Sequence, residues 1–403
     1  MNGEVSIKNI FTHGAGQIIN LLAPFLVALY VIPVCGVARW GIVSVVTSLY
    51  ILAGLLVEFG ANLIGVKELS AYRENLQYIR NYISLNYRYR FICCLLITVV
   101  LVVVFLILDV DTAYYWGLTW MAAWYYNPLW IYQAEEDFKK INRIIFLSKF
   151  FYILSIFLFV RKGEDYVYVA GLLGICNSVV YGWYYYGIPQ RHISLKRVFV
   201  FIRQNKSIVV SNFAINCYTQ APVFIIDAVL GNTATGIFKI IDLFLTAFRS
   251  YLGVFFNVTY PRFCSLMMSG KQMARRYAYK MTMGNLVFLT GAVAVIIFTL
   301  PFVLAYFDFS EEVKKGLNYS SYLLFLPIII ALNIPFYQVL LFRKQNGVIV
   351  GTSVTGLVIT VVLGICLTKV YGLMGICIMM YSVEIFITMR FLLKGKKNLE
   401  IHE

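Results

Sequence analysis

Lys239, Asp242 and Arg249 are three ionisable residues inside a stretch, Ile237 to Asn257, that is otherwise almost wholly Ile, Leu, Phe, Val, Ala and Tyr. At about 100° per residue, Lys239, Asp242, Thr246, Arg249, Ser250, Gly253 and Asn257 fall within an arc of roughly 100°. A charge near the middle of a bilayer costs about 2.5–3.5 kcal/mol on insertion scales, so such residues face protein or a water-filled cavity. The stripe therefore predicts a polar cavity inside a helix bundle, and such cavities are usually transport routes. Arg249 lies near the middle of its span. Its planar guanidinium stays charged and suits bidentate binding of phosphate. Lys239 and Asp242 are three residues apart and can pair on the helix surface, as a structural ion pair or as part of a binding site.

Other polar residues stand in apolar runs. Glu58 and Glu384 are lone carboxyls within spans, each readable as an interfacial group or as the group whose proton uptake drives a cycle. Asn212, Asn216, Thr219, Gln220 and Asp227 share one broad helix face, which fits a cavity wall or an interhelical hydrogen-bond seam. Asp227 joins Glu58 and Glu384 as an ion-coupling candidate, and Asn62, Asn216 and Asn257 join the cations as substrate-binding candidates. Trp116, Trp120 and Trp124 recur every fourth residue. They offer platforms for sugar rings, although packing and interfacial anchoring account for most such stripes.

The elements that position these residues follow from composition. The 403 residues are 61% hydrophobic and 13% charged, against about 25% charged in a soluble domain; this is a polytopic membrane protein. Segments of about 20 apolar residues recur near 11–33, 40–62, 91–108, 114–133, 144–160, 166–188, 207–230, 236–258, 281–304, 317–342, 347–367 and 371–392. That predicts twelve spans. The net charge of +15 sets topology and implies no nucleic-acid partner. With Arg390 counted in the C-terminal tail, 25 of the 34 Lys and Arg fall on one side, six on the other and three within spans, which places both termini in the cytoplasm. Residues 67–83 and 262–280 read as amphipathic helices on the cytoplasmic interface. The eight cysteines form no metal-ligand spacing and read as buried packing. The three histidines are scattered, so neither metal nor cofactor is expected. The sequence shows no phosphate-binding loop of an ATPase, and neither a cleavable signal peptide nor an outer segment large enough for a catalytic domain is expected.

At an offset of 195 residues, Gly36 matches Gly231, Gly41 matches Gly236, Ile42 matches Ile237, Asn62 matches Asn257 and Ser70 matches Ser265. The same offset separates the first six spans from the second six, so the halves repeat in the same orientation. The expected fold is all-α: two six-helix lobes, 1–190 and 207–403, joined by a cytoplasmic linker at 191–206, with substrate between the lobes.

Gly16, Gln17, Ile18, Ile19 and Asn20, then Pro24, a turn at Gly36, Gly41, the Glu58-Phe59-Gly60 run and Lys67-Glu68-Leu69-Ser70 stand in an order that resembles the bacterial polysaccharide-unit flippases of the Wzx type. Those belong to the superfamily of the multidrug (MATE) exporters. Pro261-Arg262-Phe263 is similar to the family's second half. The resemblance implies a multi-pass protein of the bacterial inner membrane. It would move an undecaprenyl-diphosphate-linked oligosaccharide, such as an O-antigen unit, from the cytoplasmic to the periplasmic leaflet by alternating access. A proton or cation gradient is an implied drive, and polysaccharide polymerase and chain-length proteins are implied partners. Glu58 matches an acidic position common in the family, while Arg249 and Lys239 carry over only as cavity cations. Two other readings stand beside it: a cation-coupled drug exporter of the same fold, and a membrane polysaccharide polymerase.

Overall fold

The structure is a computed structural model that describes residues 7–188, 191, 193–306 and 311–400. His192, His402 and Gln190, the residue expected to close the first lobe, lie outside them. Among the described residues, nine helices are long and apolar enough to cross a membrane, and Ile19–Cys35 is a shorter apolar helix. The chain is a multi-pass membrane protein. It divides into two compact units, Met1–Asn216 and Cys217–Glu403.

The first unit begins with α1 (Ile7–Cys35) and α2 (Val37–Glu58). They meet at Gly36, whose φ of 90° is open to glycine at little cost. The second span was expected to reach residue 62, but α2 stops at Glu58. Phe59 takes the left-handed conformation (φ 49°), Gly60 follows at φ 69°, and Ala61–Gly65 forms a π-helical turn. Then come α3 (Val66–Ala71) and α4 (Leu76–Leu108). The interfacial helix expected over 67–83 is thus interrupted at Tyr72–Asn75. Asn75 caps α4 by accepting from the Tyr78 backbone N–H, and α4 runs straight on into the third span. The expected span at 114–133 is three short helices, α5 (Thr112–Gly117), α6 (Thr119–Tyr126) and α7 (Leu129–Ala134). Pro128 lacks an N–H and pushes Asn127 out of the helical region, where its φ, ψ are −54°, 108°. α8 (Phe138–Phe159), α9 (Val167–Tyr185) and α10 (Leu195–Leu230) follow, and α10 runs across the division between the units. The core of the first unit is aromatic, with Tyr87, Trp130 and Ile131 packed on Ala61 and Leu69. The outer half of α4 exposes Leu95, Leu96, Val99, Val100 and Val103, as a lipid-facing helix must.

The second unit holds α11 (Asn232–Ser269), α12 (Lys271–Tyr306), α13 (Glu311–Ser321), α14 (Leu326–Phe342), α15 (Asn346–Tyr371) and α16 (Leu373–Glu400). Gly231 precedes α11 at φ 83°, the conformation of its repeat mate Gly36. The repeat then diverges. Where α2 breaks at Phe59-Gly60, the corresponding residues are Val254 and Phe255, and α11 continues through Asn257 to Ser269. The separate amphipathic helix expected over 262–280 does not form. Its first half is the end of α11, its second half the start of α12, and Gly270 divides them. Phe263, Met267, Ala274 and Val339 pack together around that joint.

Candidate functional site

The polar stripe of α11 is held by one carboxylate. Asp242 accepts from Lys239 Nζ at 2.8 Å through Oδ2 and from Arg249 at 3.4 Å through Oδ1. Spacings of three and seven residues bring all three to one helix face. The Asp242 side chain is 7% exposed and that of Arg249 25%, so the charges are largely withdrawn from solvent and depend on one another. Beyond Asp242, Arg249 lines a small cavity with Tyr218, Thr219, Thr360, Met380 and Glu384. Its volume of about 10 Å³ admits about one water. Glu384, on α16, is 5% exposed, accepts from the Tyr218 hydroxyl at 3.5 Å and lies within electrostatic range of Arg249. The two cations are therefore matched by two carboxyls. The four groups sum to zero with Glu384 ionised and to +1 with Glu384 protonated.

In the first unit a buried carboxyl and a buried guanidinium lie within electrostatic range of each other. Glu58 is 6% exposed and accepts from the Asn62 backbone N–H at 3.2 Å, across the turn that breaks α2. Its electrostatic partner is Arg90, on α4 and fully buried. The guanidinium donates to the Asn127 carbonyl at 2.8 Å, one left open by the break before Pro128. It also stands over the rings of Tyr87 and Trp130, at 5.4 and 5.6 Å from their centroids. Residues in the left-handed region such as Phe59, and π-turns, persist where surrounding structure holds them and gather at functional sites.

Residues 6–267 match the family described as "Polysaccharide biosynthesis protein". The chain belongs to that family. It is 20% identical over 407 residues to an Escherichia coli (strain K12) protein named "Putative O-antigen transporter", covering 97% of each chain. Its fold is similar to "Lipid II flippase MurJ, inward closed conformation", with a TM-score of 0.70, 11% identity and coverage of 98% of this chain and 89% of the other. It is also similar to a "multidrug resistance MATE family transporter of the MOP superfamily" in its outward-facing conformation, with a TM-score of 0.58, 12% identity and coverage of 98% and 95%. The chain thus has a fold similar to those transporters, helical throughout the described residues, and the relatives named with an activity are transporters and a flippase, not enzymes.

Within this polysaccharide biosynthesis family member, the expected residues are placed unevenly. Lys239, Asp242, Arg249 and Glu384 come together in the second unit. Asp227 accepts from Thr235 at 3.5 Å beside the Gly231 turn, and is not among the residues of the Arg249 cavity. Asn62 and Asn257 are exposed, and Asn216 is half-buried. The side chain of Asn212 lies outside the described ones. Trp120 and Trp124 pack: their indole N–H groups donate to Ala170 at 2.7 Å and to Tyr50 at 3.1 Å. Arg90 was counted among the cytoplasmic cations in the sequence. Its signal was weak, a cation immediately before an apolar run and close to Tyr87 and Tyr89. Tyr218 carried no signal at all, since a tyrosine in an apolar helix is ordinary.

Proposed function

We propose that this chain is a flippase for undecaprenyl-diphosphate-linked oligosaccharide, carrying the head group from the cytoplasmic to the periplasmic leaflet of the bacterial inner membrane. The observation that carries the reading is the buried Lys239–Asp242–Arg249 arrangement in a chain of this family. Arg249 presents a fixed cation to a diphosphate, and Asp242 keeps it in place. Sugars would occupy the wetter part of the stripe at Thr246, Gly253 and Asn257, which are exposed. Twelve crossings with both termini cytoplasmic, in lobes 1–190 and 207–403 joined by 191–206, belong to the same proposal. So do alternating access and the hand-over of units to polymerase and chain-length proteins.

Ion coupling enters through Glu384. Its protonation raises the charge around Arg249 from zero to +1, which favours an anionic head group, and its ionisation favours release. Glu58 and Asp227 are the other carboxyls to test. The balance of two cations and two carboxyls also leaves room for a cation exporter of the same fold, so one experiment must separate the two. In cells deleted for the gene, lipid-linked units should accumulate with the sugar reachable only from the cytoplasmic face, and restoring the gene should clear them. Units reachable from the periplasm would indicate a polymerase, and no accumulation would favour the exporter.

A further inference from the structure

A cavity in the first unit has no part in the α11 site. It measures about 600 Å³, the size of a site for a small organic ligand. Its walls come from the first turns of α4 and α10. α4 supplies Tyr78, Asn81 and Tyr82, and α10 supplies Lys196, Arg197 and Gln204. Both stretches belong to segments that the Lys and Arg distribution places on the cytoplasmic side, just before the lipid-exposed run of α4 that begins at Phe91.

The lining has the composition of a site for a phosphorylated sugar. Lys196 and Arg197 are exposed cations suited to phosphate. The one carboxylate among the described residues of the wall, Glu68, accepts from the Tyr78 hydroxyl at 2.9 Å. The Tyr82 hydroxyl is buried with no hydrogen-bond partner among the described residues, an arrangement that costs free energy unless a ligand or water completes it. Carboxamides for sugar hydroxyls stand at Asn81 and Gln204. Around the same turn of α10, Leu195, Phe199 and Val200 are exposed apolar residues, suited to lie against a lipid chain.

We propose that this cavity is a cytoplasmic recognition subsite for the sugar-diphosphate head of a membrane lipid. This rests on the flippase reading, and the lipid it names is that reading's substrate. The cavity is mechanically tied to the Glu58 turn. Phe201, in its wall, lies 6.0 Å from the Tyr82 ring and 5.5 Å from the ring of Phe59, and Phe59 lies 4.4 Å from Tyr89. A head group settling against Tyr82 and Phe201 therefore bears on the ring of Phe59, the residue that follows Glu58.

The chemistry has two sources, a lipid-linked glycan and an ordinary anionic phospholipid. The test is binding of undecaprenyl-diphosphate-hexose to the full chain in phosphatidylcholine nanodiscs, with phosphatidylglycerol as competitor. We expect at least tenfold weaker binding for the Lys196→Ala, Arg197→Ala double variant. Near-normal binding is expected for the Lys196→Arg, Arg197→Lys variant, which controls for folding, and little displacement by phosphatidylglycerol. Tyr82→Phe should weaken the hexose-bearing lipid more than undecaprenyl diphosphate alone. Wild-type affinity in the double alanine variant, with Arg249→Ala impaired, overturns the subsite and leaves the flippase reading standing. Equal displacement by phosphatidylglycerol overturns it in favour of a phospholipid site. No binding by the wild-type chain, together with no accumulation of units on gene deletion, removes the flippase reading itself.

Discussion

Arg249→Ala is the substitution that separates a binding cation from a structural one. In the protein, Asp242 holds Lys239 at 2.8 Å and Arg249 at 3.4 Å. Removing the guanidinium leaves Asp242 paired to Lys239, while Glu384, which loses its cation, can take up a proton and stay hydrogen-bonded to Tyr218, so the variant should insert and fold. Two charge-assisted hydrogen bonds to a phosphate contribute about 1.5–3 kcal/mol each. Losing both at the low end, about 3 kcal/mol, lowers transport roughly 100-fold at 1.4 kcal/mol per factor of ten. Arg249→Lys keeps the charge without the fork and should lose roughly tenfold. The assay is the fraction of lipid-linked units reachable from the periplasmic face, at matched membrane abundance of each variant. Normal transport by a well-inserted Arg249→Ala protein would refute the assignment, and wild-type transport by Arg249→Lys would refute the bidentate role.

Glu384→Gln fixes the four-group cluster at +1, so substrate binding should persist while transport becomes insensitive to a protonophore; a wild-type response to the protonophore would exclude Glu384 as the coupling group. Asp242→Asn leaves Lys239 and Arg249 without their shared carboxylate, at a cost of about 3–5 kcal/mol for breaking a buried pair. Thermal denaturation in detergent should show that loss and its partial recovery on adding Lys239→Met; an unshifted midpoint for the single variant would contradict the pairing. Gly54→Ala places a Cβ 1.9 Å from the Trp124 ring. The indole must swing away from its bond to Tyr50, for about 1–3 kcal/mol of overpacking, so the same denaturation assay should show a lower midpoint and an unchanged one would place slack between α2 and α6.

The sequence by itself determined what depends on one helix at a time. Apolar runs marked membrane helices because a bilayer tolerates no others, and helical periodicity put Lys239, Asp242 and Arg249 on one face before any fold was known. The paired glycines at 36 and 231 announced two matching turns because few other residues take a positive φ cheaply. The order of glycine and polar positions was enough to resemble a flippase family. Local pattern was less reliable at helix ends. It carried the second span through Phe59 and Gly60, drew residues 114–133 as one span, and set 262–280 apart as its own helix. In each case a proline, a glycine or a left-handed residue, or the lack of one, decided the boundary. Only the tertiary structure decided the rest. It brought Glu384 to Tyr218 across 166 residues of chain and into the field of Arg249. It buried Arg90 against the broken end of α6 and opened a cavity between the first turns of α4 and α10. Periodicity fixes direction around an axis, but the neighbour in that direction is set by which helices pack together, and that depends on every side chain at the interface.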